Sequence, residues 1–308
     1  MTITVLAGGT GSIKLVRGLA AVEKDIAVIC NVGDNIWIHN LYVCPDIDTI
    51  IYGLANILDQ KRGWGIKGDS FHCLDQLKKI GASSWFGLGD RDLAIHLLRT
   101  SMLKEGKSLS EITNFFRDCY SVSAQIIPAT DREVMTRIIT STIGEIHLQE
   151  FWVRDRGRRK VTGVRYENAS SATANPSALD AIKRCHAVVI APANPVSSIG
   201  PIIALADLRN VLVQNRGKVI AISPLLGGKA VSGPAVKYMR ALGLETSSFG
   251  VAKYYRDFGS KFIISKEDHR MKLQIEALDM QVYETDITMK TKRDEVSLSR
   301  HLLRLIEK

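Results

Sequence analysis

The sequence lacks almost everything that marks a membrane, secreted or metal-cage protein. No apolar run approaches the ~20 residues that cross a bilayer, and the longest, residues 187–193, is broken by Pro192. The apolar stretch from Ile3 is too brief for a signal peptide and runs directly into glycines, so a cytoplasmic protein is expected. Five cysteines, Cys30, Cys44, Cys73, Cys119 and Cys185, lie far apart with no C-x-x-C pair, which argues against a disulfide framework and a zinc ribbon. Histidine is sparse and shows no H-E-x-x-H spacing. Internal repeats and low-complexity tracts are absent. So are the named nucleotide fingerprints. Lys14 follows Gly11 by three with no hydroxyl after it, which breaks the P-loop, and it stands where a G-x-G-x-x-G begun at Gly9 needs its last glycine.

What is present is basic. Lys and Arg number 41 against 32 Asp and Glu, a net charge of +9. The basic residues are nevertheless spread out, and the only dense run, Arg154-Asp155-Arg156-Gly157-Arg158-Arg159-Lys160, reads as a solvated hairpin or loop. No nucleic-acid-binding motif accompanies it, so a small polyanionic substrate steered by the overall field is expected, with no nucleic acid and no membrane as partner.

The chain is organised around the stretch Thr2-Ile3-Thr4-Val5-Leu6-Ala7-Gly8-Gly9-Thr10-Gly11-Ser12-Ile13-Lys14-Leu15. A β-branched apolar run meets three glycines, and residues 13–22 then place Leu15, Val16, Leu19 and Val22 on one helical face. This is the strand, glycine turn and helix that open a doubly wound α/β domain. Glycines let a phosphate approach the backbone, and the helix start attracts the anion. Lys14, one turn past Gly11, is placed to lean back towards that anion. A tight-packing turn with no ligand is the competing reading.

A second buried strand, residues 26–30, ends at the polar turn Asn31-Val32-Gly33-Asp34-Asn35, where such a sheet presents groups to a ligand. Asn31 stands where a nicotinamide dehydrogenase needs an acidic residue, which argues against that enzyme class. Beyond Pro45 the periodicity turns helical, so Asp46 or Asp48 is an N-cap, or the two together hold a divalent metal that bridges phosphate oxygens. Trp64, in the basic turn Lys61-Arg62-Gly63-Trp64-Gly65-Ile66, either caps a core or stacks on a planar ring. Asp90 or Asp92, in Gly87-Leu88-Gly89-Asp90-Arg91-Asp92, caps the helix expected near Leu93, although the turn carries more charge than capping needs. Residues 124–127, 135–140, 143–148, 151–153 and 161–166 read as strands.

Two further buried strands, residues 187–190 and 219–222, each end in a Ser/Gly/Pro loop. These loops carry Ser197, Ser198 and Gly200 in the first case and Ser223 and Gly228 in the second. Ligands bind at the carboxyl ends of open α/β strands, so the three loops together read as one phosphate cradle. The expected fold is α/β, a Rossmann-like three-layer sandwich with a mostly parallel sheet. Residues 1–60 and 170–308 would form the nucleotide-diphosphate-binding core, and residues 61–169 an inserted helical and β lobe covering the acceptor site.

Taken together, the sequence resembles the CofD/FbiA family of 2-phospho-L-lactate transferases of coenzyme F420 biosynthesis. The resemblance rests on Gly8-Gly9-Thr10-Gly11 with Lys14, Pro45-Asp46-Ile47-Asp48-Thr49, Lys61-Arg62-Gly63-Trp64-Gly65-Ile66 and Leu88-Gly89-Asp90-Arg91-Asp92. Further on come Asn194-Pro195-Val196-Ser197-Ser198-Ile199-Gly200-Pro201, Val231-Ser232-Gly233-Pro234 and Gly250-Val251-Ala252-Lys253-Tyr254-Tyr255. It implies a magnesium-dependent transfer of a lactyl- or enolpyruvyl-type phosphoacid from a guanosine diphosphate ester to the primary hydroxyl of the deazaflavin FO, with GMP leaving. It also makes a homodimer plausible.

By the same resemblance, Gly8, Gly9, Thr10, Gly11, Lys14, Asn31, Ser197, Ser198, Gly200, Ser223 and Gly228 would hold the nucleotide. Asp46 and Asp48 would hold Mg2+, with Asp48 nearest the FO hydroxyl and its candidate base. Asp48, Gly87, Asp90, Arg91 and Trp64 would flank FO. Asp48→Asn is expected to abolish transfer with the fold intact. Archaeal members carry lysine where Gly87 stands, and here that basic side chain is missing. The alternative within the same fold is a non-catalytic nucleotide-sugar-binding regulator of the YvcK group.

Overall fold

Strand and helix alternate from the first residues, as continuous apolar runs of four to five residues dictate when both faces of a sheet are covered. The computed structural model describes residues 1–230 and 234–307. β1 (Ile3–Ala7) leads into α1 (Gly9–Ala20), and β2 (Ile26–Cys30) follows. A hairpin of β3 (Ile36–Ile38) and β4 (Leu41–Val43) delivers the chain to α2 (Pro45–Leu54). Helices α3 (His72–Lys79), α4 (Asp90–Lys104) and α5 (Leu109–Cys119) precede β5 (Gln125–Pro128). β6 (Met135–Thr140), β7 (Gly144–His147) and β8 (Val161–Glu167) form a separate antiparallel sheet in the order β7-β6-β8.

The alternation then resumes with α6 (Pro176–Arg184), β9 (Ala187–Ile190), α7 (Gly200–Ile203), α8 (Ala206–Gln214) and β10 (Val219–Ile222). A short hairpin of β11 (Leu225–Leu226) and β12 (Lys229–Ala230) follows, then α9 (Ala235–Ala241) and α10 (Ser248–Tyr255). β13 (Lys261–Ser265), α11 (Lys272–Glu276), β14 (Gln281–Thr285) and α12 (Lys292–Ile306) complete the chain. The Val231-Ser232-Gly233 part of the motif quoted above lies outside the described residues.

Seven strands make the central parallel sheet in the order β14-β13-β10-β9-β1-β2-β5. The expected Rossmann-like α/β architecture is the observed one. The order reverses between β1 and β9, which places the binding crevice at their carboxyl ends. Among the described residues no helix is long and apolar enough to cross a membrane.

Local differences from the expectation have physical reasons. The strand read at residues 124–127 does not belong to an inserted lobe. β5 pairs with Ala27–Cys30 of β2 and closes one edge of the main sheet, where Pro128 costs no ladder hydrogen bond on its outer side. Ile112 and Phe116 of α5, Ile138 of β6 and Phe151 belong to the same buried cluster as the sheet, so residues 61–169 share the core. Residues 151–153 are not extended. Glu150–Arg154 form a π-helical turn, closed by Asp155 N–H donating to Glu150 O at 2.9 Å, which buries Phe151 and leaves Trp152 44% exposed. In the basic run that follows, Arg154 and Arg159 both pair with Asp155, so part of its charge is neutralised locally.

Candidate active site

A cleft opens over the carboxyl ends of β1, β2 and β9, and its first wall is the start of α1. The glycines are not a loop apart from that helix but its cap and first turn: Gly8 is the extended N-cap, Gly9 enters the helix at a left-handed φ of +71° that favours glycine, and Gly11 lies within the first turn. A Cβ on Gly11 would stand 2.5 Å from the Pro192 carbonyl, so only glycine lets α1 abut the loop after β9. In that loop Asn194 Oδ1 accepts from the N–H groups of Val196 and Ser197 at 3.0 and 3.2 Å, a turn that brings Ser197 and Ser198 to the cleft. Asn194 Nδ2 has no acceptor among the described residues.

The positive end of α1 already meets a carboxylate. Gly9 N–H donates to Asp46 Oδ1 at 2.7 Å, so Asp46 sits on a helix start 37 residues away and not as the N-cap of its own helix, where Cys44 stands. Its other oxygen accepts from the side-chain amide of Asn31 at 2.8 Å, and the same nitrogen reaches Asp34 Oδ1 at 3.1 Å. Asn31 itself is fully buried behind the cleft. Two carboxylates thus share one neutral amide, and no lysine or arginine pairs with either among the described residues. Burial raises the Asp46 pKa to about 6, against the pull of Asn31 and the Gly9 amide. Burial and the Asp46 charge push Asp34 well above the usual carboxylate range.

Asp48 faces a different environment. Arg99 of α4, 1% exposed, holds it with both guanidinium nitrogens: Nη2 meets Oδ1 in a very short contact, and Nη1 donates to Oδ2 at 3.1 Å. Burial lifts the Asp48 pKa against the pull of Arg99 and His96, whereas Arg99 goes up, burial being outweighed by Asp48 and Cys44. The bidentate contact with Arg99 keeps the Asp48 carboxylate ionised. The expected Asp46–Asp48 unit is therefore divided, each carboxylate having its own partners. The sequence also misled about Asp48→Asn: the substitution strands a buried guanidinium, so it costs stability as well as any activity.

Along α4, Asp92, His96 and Arg99 form one polar stripe. Tyr52 O–H donates to Asp92 Oδ1 at 2.6 Å, and His96 Nδ1 lies 3.0 Å from Arg99 Nη1. Burial pushes the Asp92 carboxyl up, but His96, Tyr52 and Arg99 outweigh it and hold the group below its ordinary value. Trp64, Phe86, Gly87 and Val43 make the apolar wall beside this stripe, and Trp152 stands on the π-helical turn as a second exposed indole in the cleft. A Cβ on Gly87 would fall 2.5 Å from Trp64 Cη2, so the indole occupies the space that a side chain at 87 would take. Trp64 is backed edge-on by Phe71, over which Arg62 sits at 4.5 Å.

Residues 3–303 match the family described as 2-phospho-L-lactate transferase CofD. A curated 2-phospho-L-lactate transferase of Methanopyrus kandleri is 39% identical over 308 residues, 100% of this chain and 98% of that one. One of Methanosarcina mazei is 37% identical, covering 92% of this chain and 94% of its own. This chain belongs to the CofD family. A solved structure of a member of the UPF0052 family from Bacillus halodurans superposes with a TM-score of 0.65 over 98% of both chains, at 13% identity, which speaks to the fold alone.

In this CofD chain the cleft gathers Gly8, Gly9, Thr10, Gly11, Asp46, Asp48, Trp64, Gly87, Ser197 and Ser198 of the residues singled out from sequence. Others are elsewhere. Lys14 does not lean back to the helix start: its Nζ donates to the Met289 carbonyl at 2.9 Å and ties α1 to the segment before α12. Gly200 begins α7 behind the loop, where a Cβ would collide with the Tyr166 hydroxyl. Ser223 is fully buried and bonds Ser248, and Gly228 is a turn residue of the β11–β12 hairpin. Asp90 accepts from the N–H groups of His72 and Cys73 and so caps α3, while Asp69 caps α4 through the N–H groups of Arg91 and Asp92. The Arg91 side chain folds onto the Lys67 carbonyl, away from the cleft. Asp34, Tyr52, Asp92, His96, Trp152 and Tyr238 line the cleft without having been singled out as site residues. One signal was present: Asp92, His96 and Arg99 are spaced four and three, a polar face along the helix expected near Leu93.

Proposed function

We propose that the chain transfers a phospholactyl-type group, 2-phospho-L-lactate or phosphoenolpyruvate, from a guanosine diphosphate ester to the primary hydroxyl of the deazaflavin FO, releasing GMP in coenzyme F420 biosynthesis. The observation that carries this reading is the meeting, in one cleft, of a helix start with a serine turn, an uncompensated carboxylate pair and an indole-lined apolar wall. A diphosphate needs the first two, and a planar tricyclic ring needs the third.

Magnesium fits the donors. Asp34 and Asp46 offer hard oxygen ligands with no cationic side chain among the described residues to balance them. Among the described residues no three His, Cys, Asp or Glu side chains converge into a closed cage, which suits an ion that takes one or two carboxylates and completes its shell with phosphate oxygens and water. When bound, the ion supplies charge neutralisation at the diphosphate. The metal role thus falls to Asp34 and Asp46, and Asp48 is left as a fixed, arginine-held acceptor. The first-turn amides of Thr10 and Gly11 lack intrahelical partners and, with Ser197 and Ser198, hold phosphate oxygens. Trp64 and Trp152 offer faces to planar rings. Positioning and charge neutralisation suffice for attack of a hydroxyl on phosphorus.

The decisive test incubates the purified protein with magnesium, FO and either the lactyl or the enolpyruvyl guanosine diphosphate donor, with products read by mass spectrometry. An FO-phosphoacid and GMP appearing only with magnesium are expected. No product with either donor, together with tight binding of a nucleotide sugar, would replace the transferase by a binding protein. A second prediction concerns the acceptor wall. Gly87→Ala displaces the Trp64 indole and weakens FO binding about tenfold, a ~1.4 kcal/mol effect seen by fluorescence titration. Unchanged affinity would remove Trp64 from the FO site.

A further inference from the structure

The polar stripe of α4 holds a buried donor whose nearest acidic oxygen is 3.5 Å away and an acceptor oxygen with no donor among the described residues. We infer that His96 and Asp92 clamp the attacking hydroxyl of the acceptor, His96 donating to its oxygen and Asp92 accepting its hydrogen. The inference rests on the transferase reading above and adds two catalytic residues to it.

The argument begins at Arg99. A guanidinium only donates, so His96 Nδ1, 3.0 Å from Arg99 Nη1, is the accepting nitrogen, and the ring carries its hydrogen on Nε2. Arg99 is itself locked by Asp48 and by the Tyr42 carbonyl, so the tautomer is fixed by the fold. Among the described residues Nε2 has no hydrogen-bond partner although His96 is only 1% exposed; its nearest acidic atom, Asp92 Oδ1, is 3.5 Å away and already takes the Tyr52 hydroxyl. A buried N–H left unmade costs folding free energy, and such sites recur where a ligand completes the bond. The second oxygen of Asp92, Oδ2, has no donor among the described residues and faces Gly65 beside the indole wall, where a Cβ would be 3.8 Å from it. The helix spacing of four residues places both groups on one face of α4, towards the cleft.

A hydroxyl seated between them presents one lone pair to phosphorus. As the acceptor oxygen bonds to the acid-bearing phosphorus, the bond from that phosphorus to the bridging oxygen breaks. The electron pair leaves with GMP, and the hydroxyl proton passes to Asp92. No oxidant, reductant or protein nucleophile is required.

Two amide substitutions separate the roles of the histidine. His96→Gln places an N–H where Nε2 stands, whereas His96→Asn replaces only the acceptor for Arg99. With FO and whichever donor the wild type uses, His96→Gln is expected to keep kcat within about tenfold. His96→Asn should lose ~100-fold or more in kcat with the donor KM unchanged, and Asp92→Asn should lose ~1000-fold. Full activity in His96→Asn with loss in His96→Gln would make His96 a mere support for Arg99 and overturn the clamp, as would near-normal turnover in Asp92→Asn. A measurement on the unmodified protein guards against variants that fail to fold. FO with its primary hydroxyl replaced by hydrogen should bind about tenfold more weakly than FO in a fluorescence titration, because the clamp is left unpaired. Equal affinity of the two ligands overturns the clamp. Failure of the wild type to bind FO at all strikes the transferase reading itself, and the clamp falls with it.

Discussion

Arg99→Met is expected to lower the free energy of unfolding by about 3–5 kcal/mol, the cost of leaving one partner of a buried ion pair uncompensated. Arg99 is held by Asp48, the Tyr42 carbonyl and His96, and it also lies 5.5 Å over the ring of Phe116. Methionine restores most of the packing and none of the charge, so Asp48 must either be hydrated at the cost of opening the α2–α4 contact or be protonated. Urea unfolding followed by circular dichroism at neutral pH should show a lower midpoint with an unchanged slope. The double variant Asp48→Asn/Arg99→Met, in which no lone charge is buried, should regain most of the loss. A single variant as stable as the wild type would show that Asp48 reaches water despite its burial, and would return it to the candidates for metal binding.

The carboxylate at the start of α1 should make the metal-free protein less stable as the pH rises. The folded pKa of Asp46 is raised by burial from 3.8 to about 6, so the folded chain binds the proton more tightly than the unfolded one. That contribution is complete below pH 3.8 and is lost as the pH climbs through 6. Two pKa units correspond to about 3 kcal/mol. Asp34 and Asp48, also raised by burial, titrate with the same sign and Asp92, held low, with the opposite one, so the quantity to measure is the difference between wild type and Asp46→Asn: between pH 4 and pH 8 in EDTA, the wild type should lose ground to the variant. Magnesium at a hundred times its dissociation constant should restore ~2.7 kcal/mol at pH 8 and little at pH 5, and the restoration should vanish in Asp46→Asn. Thermal midpoints in EDTA and in magnesium read both effects. A difference that stays flat with pH, or a magnesium shift surviving in the variant, would take the ion away from Asp46.

These two carboxylates, two residues apart, show where sequence reasoning succeeds and where it stops. The apolar runs at residues 3–7, 26–30, 187–190 and 219–222 determined a parallel sheet, because only a sheet covered on both faces buries uninterrupted Ile and Val. The sheet in turn determined that the cleft opens at the strand ends, with the glycine turn and the serine loop beside it. The motif order was enough to point to the family. Pro45 fixed the start of α2, so Asp46 and Asp48 were legible as first-turn residues of a helix. Their partners were not. Asp46 meets Gly9 and Asn31, Asp48 meets Arg99 51 residues further on, and Lys14 turns away to Met289. A side chain's rise and face on its own helix follow from local periodicity, but which opposite charge closes on it depends on how distant elements dock. The sequence by itself thus determined the sheet, the cleft and the residue types around it. Only the tertiary structure decided which carboxylates meet a cationic side chain and which meet neutral amides, because charge pairing is settled by packing across the core and leaves no periodic signal along the chain.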